Sequence, residues 1–282
     1  MRRGEEIESR HRVHAVRVDE SGVVEAWGDS ELVSYMRSVA KPLQALPLVA
    51  AAPELGDDEI AIASASHEAL PDQLEAVKSL LARSWSTEED LECGPEGGSR
   101  LRHNCSGKHA GMLLVSRRRE WPLPGYRLAG HPLQDEIRAV VAEACGLGSD
   151  VVPTAADGCG VVTFAVPLSA IARAFSRLAR RELDGAARVV TAMLAHPELV
   201  GGPESDDTAV MEGIPGAIAK RGAEGLLCVG LPDGSALALK VEDGATRAAG
   251  PAAGRILALE ALDARPVINS RKERVGTIRA EF

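Results

Sequence analysis

Over residues 11–27 apolar and polar positions alternate: Val16 and Val18 flank Arg17, Val24 and Ala26 flank Glu25, and Asp19-Glu20-Ser21-Gly22 lies between them. Period-two alternation around a glycine-containing turn predicts a β-hairpin at the start of the fold. From Ser38 the period changes. Leu43, Leu46 and Val49 recur every three residues, which predicts a helix with Ser38 at or near its N-terminus. Pro42 fits only within the first turn, and Pro47 removes a backbone donor, so a kink or early stop is expected there. Helical spacing returns at Leu74, Val77, Leu80 and Leu81 within 72–82, then over 133–145, 167–178 and 183–196, whereas 94–98 reads as a loop. Short apolar runs at 225–230 and 235–241, separated by Leu231-Pro232-Asp233-Gly234, predict a second hairpin. Strands at both ends and helices between them predict one domain over residues 1–282, with an α+β architecture in which the terminal strands pair in an antiparallel sheet covered by helices.

Composition narrows the classes of partner. A formal net charge of -9 argues against a nucleic-acid groove, and at 3% aromatic residues there are few stacking platforms for bases or sugars. The core must be filled by Ala, Val, Leu and Ile. The opening Met1-Arg2-Arg3-Gly4-Glu5-Glu6-Ile7-Glu8 turns acidic where an export signal needs an apolar run. The apolar stretch 43–52 falls short of the roughly 18 residues of a membrane helix, so a cytoplasmic protein without a membrane partner is expected. Five dispersed cysteines (93, 105, 145, 159 and 228) fit reduced thiols, some of them metal ligands or core filler. Only six residues are lysine, which makes any lysine inside a motif stand out.

Five segments carry candidate chemistry. Arg37-Ser38-Val39-Ala40-Lys41-Pro42 places a lysine nearly one helical turn after a serine, so a neutral amine could take the hydroxyl proton; the same spacing also suits a helix cap followed by a solvated lysine. Ala63-Ser64-Ala65-Ser66-His67-Glu68 offers Ser66 as a second nucleophile, a proton relay or a turn residue. His67-Glu68 is not the start of a zinc-protease motif, because Pro71 stands where the second histidine is needed. His103-Asn104-Cys105-Ser106-Gly107-Lys108-His109-Ala110-Gly111-Met112 lacks the features of a phosphate loop. It suits either a soft metal, with Cys105, His109 one turn later, His103 nearby and a thiol from elsewhere, or a buried cysteine beside a helix cap. Asp157-Gly158-Cys159-Gly160 lets the backbone turn sharply and present Cys159 as the distant partner of Cys105. Lys240 lies in a strand, pointing away from the side of Leu239 and Val241.

Together, in this order and over about residues 13–244, these segments resemble the Rhizobium-type, thermolabile L-asparaginases of the asparaginase II family. The resemblance implies a fold similar to the serine β-lactamases and penicillin-binding proteins, with an antiparallel sheet between helical layers. It also implies hydrolysis of L-asparagine to L-aspartate and ammonia in a homodimer. By the same resemblance Ser38 pairs with Lys41, Ser66 pairs with Lys240, and zinc is held by Cys105, Lys108 and Cys159, with His109 outside the ligand set. Arg37, His109 and Asp157 become substrate-holding residues. Ser38 is then expected to attack with Lys41 as base, Ser66 and Lys240 relaying protons or placing the substrate.

Two departures from the family pattern stand out. Ala69-Leu70-Pro71 replaces a Gly-Glu-Pro step, removing a carboxylate, and His103 replaces an asparagine beside the metal segment. Two other readings stay open: a β-lactamase-like serine hydrolase acting on another amide, and a non-catalytic protein that binds zinc or an amino acid.

Overall fold

The computed structural model describes residues 1–282. Two short strands, β1 (Arg2–Arg3) and β2 (Glu6–Ile7), precede the hairpin of β3 (Val13–Asp19) and β4 (Gly22–Trp27), and β5 (Val33–Tyr35) leads into the helical region. There α1 (Lys41–Gln44), α2 (Leu46–Ala51), α3 (Asp57–Ala63), α4 (Pro71–Arg83), α5 (Ser106–Arg118) and α6 (Pro132–Cys145) follow one another. After β6 (Thr154–Ala156) and β7 (Val162–Pro167) come α7 (Leu168–Ala179), α8 (Ala186–Ala195), α9 (Pro197–Gly201) and α10 (Asp206–Gly213). The chain ends with β8 (Ile218–Gly222), β9 (Leu226–Gly230), β10 (Ala236–Val241), α11 (Ala249–Leu257), α12 (Glu260–Asp263), β11 (Ala264–Ile268) and β12 (Arg274–Arg279).

The two hairpins read from the alternation pattern meet in one antiparallel sheet of order β4-β3-β10-β9-β8. β10 joins them, with Val13 opposite Val241 and Val18 opposite Ala236. On α7, Leu168, Ile171, Ala172, Phe175 and Leu178 are buried, and this apolar stripe lies against β3, β9 and β10. Gly230 admits it: a Cβ there would lie 2.9 Å from the Phe175 carbonyl oxygen. The opposite-facing residues Leu227, Val229, Leu237 and Leu239 are fully buried, and α11 packs on β9 and β10. The sheet therefore lies between helical layers, and its core is aliphatic, with Phe164, Phe175 and Tyr126 the only aromatic side chains fully buried.

Ser38 does not sit at the start of a straight helix. Residues 37–40 form a 3-10 turn, α1 spans four residues with Pro42 in its first turn, and the run restarts at α2 with Pro47 again at an N-terminal position. The break thus falls at Ala45, just before Pro47, because each proline is tolerated only where its missing N–H needs no partner. No strand was expected over 218–222, yet β8 is the sheet edge on which the site is built. Its Lys220-Arg221 pair interrupts any apolar alternation, so its strand character comes from pairing with β9, Lys220 opposite Cys228. Two further sheets escaped the sequence pattern as well: β11-β12-β1-β2, which joins the chain ends, and β5-β7-β6. No helix is long and apolar enough to cross a membrane.

Candidate active site

Gly222, the last residue of β8, brings the Ser38 turn against the sheet edge: a Cβ added there would lie 3.3 Å from Val39 Cγ1 and 3.4 Å from the Met36 carbonyl oxygen. Arg37, the residue before Ser38, has φ 50, a left-handed conformation that is strained for a side chain of this size. Two contacts hold it there. Its backbone N–H donates to Thr163 Oγ1 at 3.1 Å, and its guanidinium pairs with Asp157. The turn leaves Ser38 half-buried.

Lys41 is wholly buried. Its Nζ lies against the Ala65 carbonyl oxygen, 3.0 Å from Ser66 Oγ and 3.4 Å from the Asn104 carbonyl oxygen. Burial lowers its pKa and favours the neutral amine, although the neighbouring Cys105 opposes this. The Ser66 hydroxyl can accept from an ammonium or donate to a neutral amine, so this contact accommodates Lys41 in either protonation state. The serine in hydrogen-bond contact with Lys41 is therefore Ser66, whereas the resemblance had paired Ser66 with Lys240.

Lys240 lies elsewhere. On β10 its face neighbours are His14 of β3 and Leu226 of β9, its Nζ donates to the Val241 carbonyl oxygen, and the charges acting on it are Glu224, Asp243 and Glu242. It points away from Leu239 and Val241, as strand alternation requires, but β9 separates it from the edge strand where the site forms. The lysine on the edge strand is Lys220 of β8, fully buried and 2.9 Å from Asp207 Oδ2, with Lys41 among the charges acting on it. Burial pushes its pKa down to about 8 against the opposing pull of Asp207. Sequence reasoning passed over it. The available signal was Lys220-Arg221-Gly222, which has the form of the Lys-Thr-Gly segment that accompanies Ser-x-x-Lys in penicillin-recognising enzymes.

A second group of side chains lies alongside. Cys105, at the N-cap of α5, and Lys108, in its first turn, meet Cys159 from the loop before β7, with Lys108 Nζ 3.1 Å from Cys159 Sγ. A hydrogen bond with Cys159 holds the Cys105 thiol well below its usual range, and Lys41 and Lys108 add to this against the cost of burial. Burial alone would discharge Lys108. Cys159, Cys105 and Asp157 outweigh it and hold the ammonium above its ordinary range.

His109 is fully buried, and burial pushes its pKa down to about 4. Tyr126 Oη accepts from the Glu92 N–H and lies 2.6 Å from His109 Nδ1, so the hydroxyl proton is free for Nδ1 and the ring proton sits on Nε2. That Nε2 has no hydrogen-bond partner and lies beside the Cys159 thiol. His109 thus borders the thiol pair as a neutral ring. His103 is half-buried near Cys159, and burial lowers its pKa too. No three His, Cys, Asp or Glu side chains are arranged to hold a metal, so a metal at Cys105 and Cys159 needs the Lys108 amine as third protein ligand.

The loop after Ser66 is fixed by its neighbours. His67 Nδ1 accepts from the Ala69 N–H, so Nε2–H donates to Ser106 Oγ at 2.8 Å, and Ser106 passes the chain on to the Leu101 carbonyl oxygen. Burial pushes the His67 pKa down to about 3, keeping the ring neutral. Leu70 is exposed, and Gln73 Oε1 accepts from the N–H groups of Glu68 and Leu70. Glu68, two residues before Leu70, lies 3.4 Å from Arg221 of the edge strand. A cavity of about 1150 Å³ touches none of these side chains; it lies between the chain ends, lined among others by Met1, Ile7, Val275 and Phe282.

The sequence profile of the family described as L-asparaginase II matches residues 1–280. Curated proteins include no match. Among solved structures, a β-lactamase from Mycobacterium bovis is similar at 16% identity, over 82% of this chain and 87% of that chain, with a TM-score of 0.36. EstCE1, a hydrolase with promiscuous acyltransferase activity, is similar at 12% identity, over 81% of this chain and 88% of that chain, with a TM-score of 0.43. Likenesses this distant say nothing about substrate.

Proposed function

We propose, from the premise that this chain belongs to the L-asparaginase II family, that it hydrolyses L-asparagine to L-aspartate and ammonia through a serine-lysine cluster. The observation that carries the proposal is Lys41, a fully buried amine biased toward neutrality, 3.0 Å from Ser66 Oγ and three residues after Ser38.

Ser38 Oγ attacks the side-chain amide carbon of asparagine, and its proton reaches Lys41 by way of Ser66 Oγ. The strained Arg37 supports Ser38 as the attacking group, since it presents a half-buried hydroxyl at the start of the helical run. Charge gathering on the carbonyl oxygen is stabilised by the backbone N–H groups of that run and by the Lys220 ammonium. The proton then passes to the leaving nitrogen and ammonia departs. Water hydrolyses the Ser38 ester with the same amine as base, which frees aspartate. Arg37 and Asp157, a cation and an anion in contact, match the α-carboxylate and α-ammonium of an amino acid.

The donor set of Cys105, Lys108 and Cys159 fits zinc, which favours sulfur and nitrogen ligands. Zinc held by Cys105 and Lys108 of α5 and by Cys159 of the 157–160 loop would supply Lewis-acid polarisation of a substrate oxygen. Lys108 gives up its proton on binding, because the metal competes for the amine lone pair. The purified protein is therefore expected to contain near-stoichiometric zinc by elemental analysis, and the Cys159→Ala variant to lose it. A wild-type protein without zinc would refute the site.

A coupled ammonia assay tests the reaction. L-Asparagine is expected to give ammonia and aspartate in equal amounts, faster than L-glutamine, and a chromogenic β-lactam is expected to stay intact. Turnover of the β-lactam without release of ammonia from asparagine would favour a β-lactamase-like hydrolase, and tight asparagine binding without product would favour a binding protein.

A further inference from the structure

We infer that Asp207 is a positioning residue for the reaction, a buried carboxylate that fixes the direction of the Lys220 side chain toward the serine-lysine cluster. The inference rests on Lys220 belonging to that cluster. Asp207 and Lys220 are both fully buried, with Oδ2 2.9 Å from Nζ. The other carboxylate oxygen, Oδ1, accepts the backbone N–H of Arg221, the neighbouring residue on the open edge of β8. One carboxylate thus grips the edge strand twice, by its backbone and by its lysine. Asp207 is itself held in the first turn of α10, where Ser205 Oγ caps the helix by accepting from the Thr208 N–H at 3.1 Å.

An ammonium has three N–H groups. On Lys220 one goes to Asp207 and a second to the Arg221 carbonyl oxygen at 3.1 Å, which leaves the third uncommitted on the strand that Gly222 sets against the Ser38 turn. A buried pair whose only role was to dock α10 on β8 would not require its lysine to lie within the electrostatic reach of a second buried amine. The charged and titratable groups facing Lys220 are Asp207 from α10, Lys41 from α1, Arg221 from its own strand and Cys228 from β9. Among them Asp207 alone favours the ammonium over the neutral amine while Lys41 and Arg221 oppose it.

The test is Asp207→Asn, which keeps the shape and removes the charge, measured beside Lys220→Met and the double variant. In Asp207→Asn, kcat for asparagine is expected to fall roughly 10- to 100-fold with KM changed less than about threefold, as for a misdirected group. The double variant is expected to be no slower than Lys220→Met, because Asp207 acts through that lysine. The Lys220 amine, followed by NMR of protein with isotope-labelled lysine, is expected to titrate at lower pH in Asp207→Asn than in the wild type. An unmoved titration, a wild-type kcat, or a double variant slower than either single one would overturn the inference. Should Asp207→Asn not fold, Asp207→Glu, which keeps the charge and moves it by one methylene, is read in the same way: a lowered kcat at unchanged melting temperature supports the inference and an unchanged kcat overturns it. Full activity of Lys220→Met would instead sink the assignment of Lys220 to the catalytic cluster, and the NMR titration would still decide whether Asp207 controls that amine.

Discussion

The Ser38→Ala protein is expected to release ammonia from L-asparagine at least about 10⁴-fold more slowly than the wild type, the size of loss seen when a serine nucleophile is removed and only binding and electrostatic stabilisation remain. Ser38 is half-buried and touches no core side chain that its hydroxyl holds in place, so the variant should fold and melt as the wild type does. Ser66→Ala provides the contrast. Ser66 is only 7% exposed and is the hydroxyl at 3.0 Å from Lys41, so removing it breaks the proton path and leaves the attacking group in place. A loss of roughly 10²–10³-fold is expected there, within the range for general acid-base groups. Mass spectrometry of acid-quenched enzyme and substrate should find the acyl group on the peptide containing Ser38. Full turnover by Ser38→Ala, or an acyl group on Ser66, would exchange the roles of the two serines.

A second large effect is expected far from any proton transfer. Replacing a glycine by alanine inside a helix usually stabilises by up to about 1 kcal/mol, because alanine is the better helix former. Gly107 in the first turn of α5 should do the opposite. A Cβ there would overlap the Ile62 carbonyl oxygen and lie 2.8 Å from the Ile62 carbonyl carbon, both backbone atoms of α3. Backbone cannot swing aside as a side chain can, so α5 must move off α3, at an expected cost of about 2–4 kcal/mol. In a chain of this size that lowers the melting temperature by roughly 3–7 °C. Because Gly107 lies between Cys105 and Lys108, zinc content should fall in the same variant. Gly111→Ala, one turn further along, is the control: its Cβ would meet Leu48 Cδ2 at 3.1 Å and Ala63 Cβ at 3.3 Å, and Leu48 can rotate away. A Gly107→Ala protein that melts at or above the wild-type temperature would show that the α3–α5 crossing is looser than described.

The legible part of the fold was the part governed by local pattern. The hairpin of β3 and β4, the hairpin of β9 and β10, and helices α4, α6 and α7 all lie where period-two or helical spacing placed them. Their apolar faces repeat over enough residues for one period to dominate. β8 was not legible, since five residues carrying Lys220 and Arg221 show no alternation, and its strand character comes from β9 alongside. The strands at the chain ends were missed for the same reason. They are short and half-exposed, and they exist because the two ends of the chain pair with one another.

The site divides in a similar way. Ser38, Lys41, Ser66, Cys105, Lys108 and Cys159 could be nominated from the sequence because each lies in a short segment whose residue types and spacing already suit the chemistry. A partner brought from another part of the chain could not be nominated with the same security. Lys240 and Lys220 both lie on late strands, and nothing in either segment says which strand forms the edge beside Ser38. The strand order decides it: β8 is the edge that lies against the Ser38 turn and β10 lies inside the sheet, so Lys220 sits on the edge strand and Lys240 faces Glu224 and Asp243. By itself the sequence determined the α+β pattern and nominated the candidate segments, since both depend on neighbours within a few residues. Only the tertiary structure decided that Lys41 meets Ser66 and that Asp207 pairs with Lys220 on the edge strand, since burial and pairing between distant segments set both the direction of a side chain and the charge it carries.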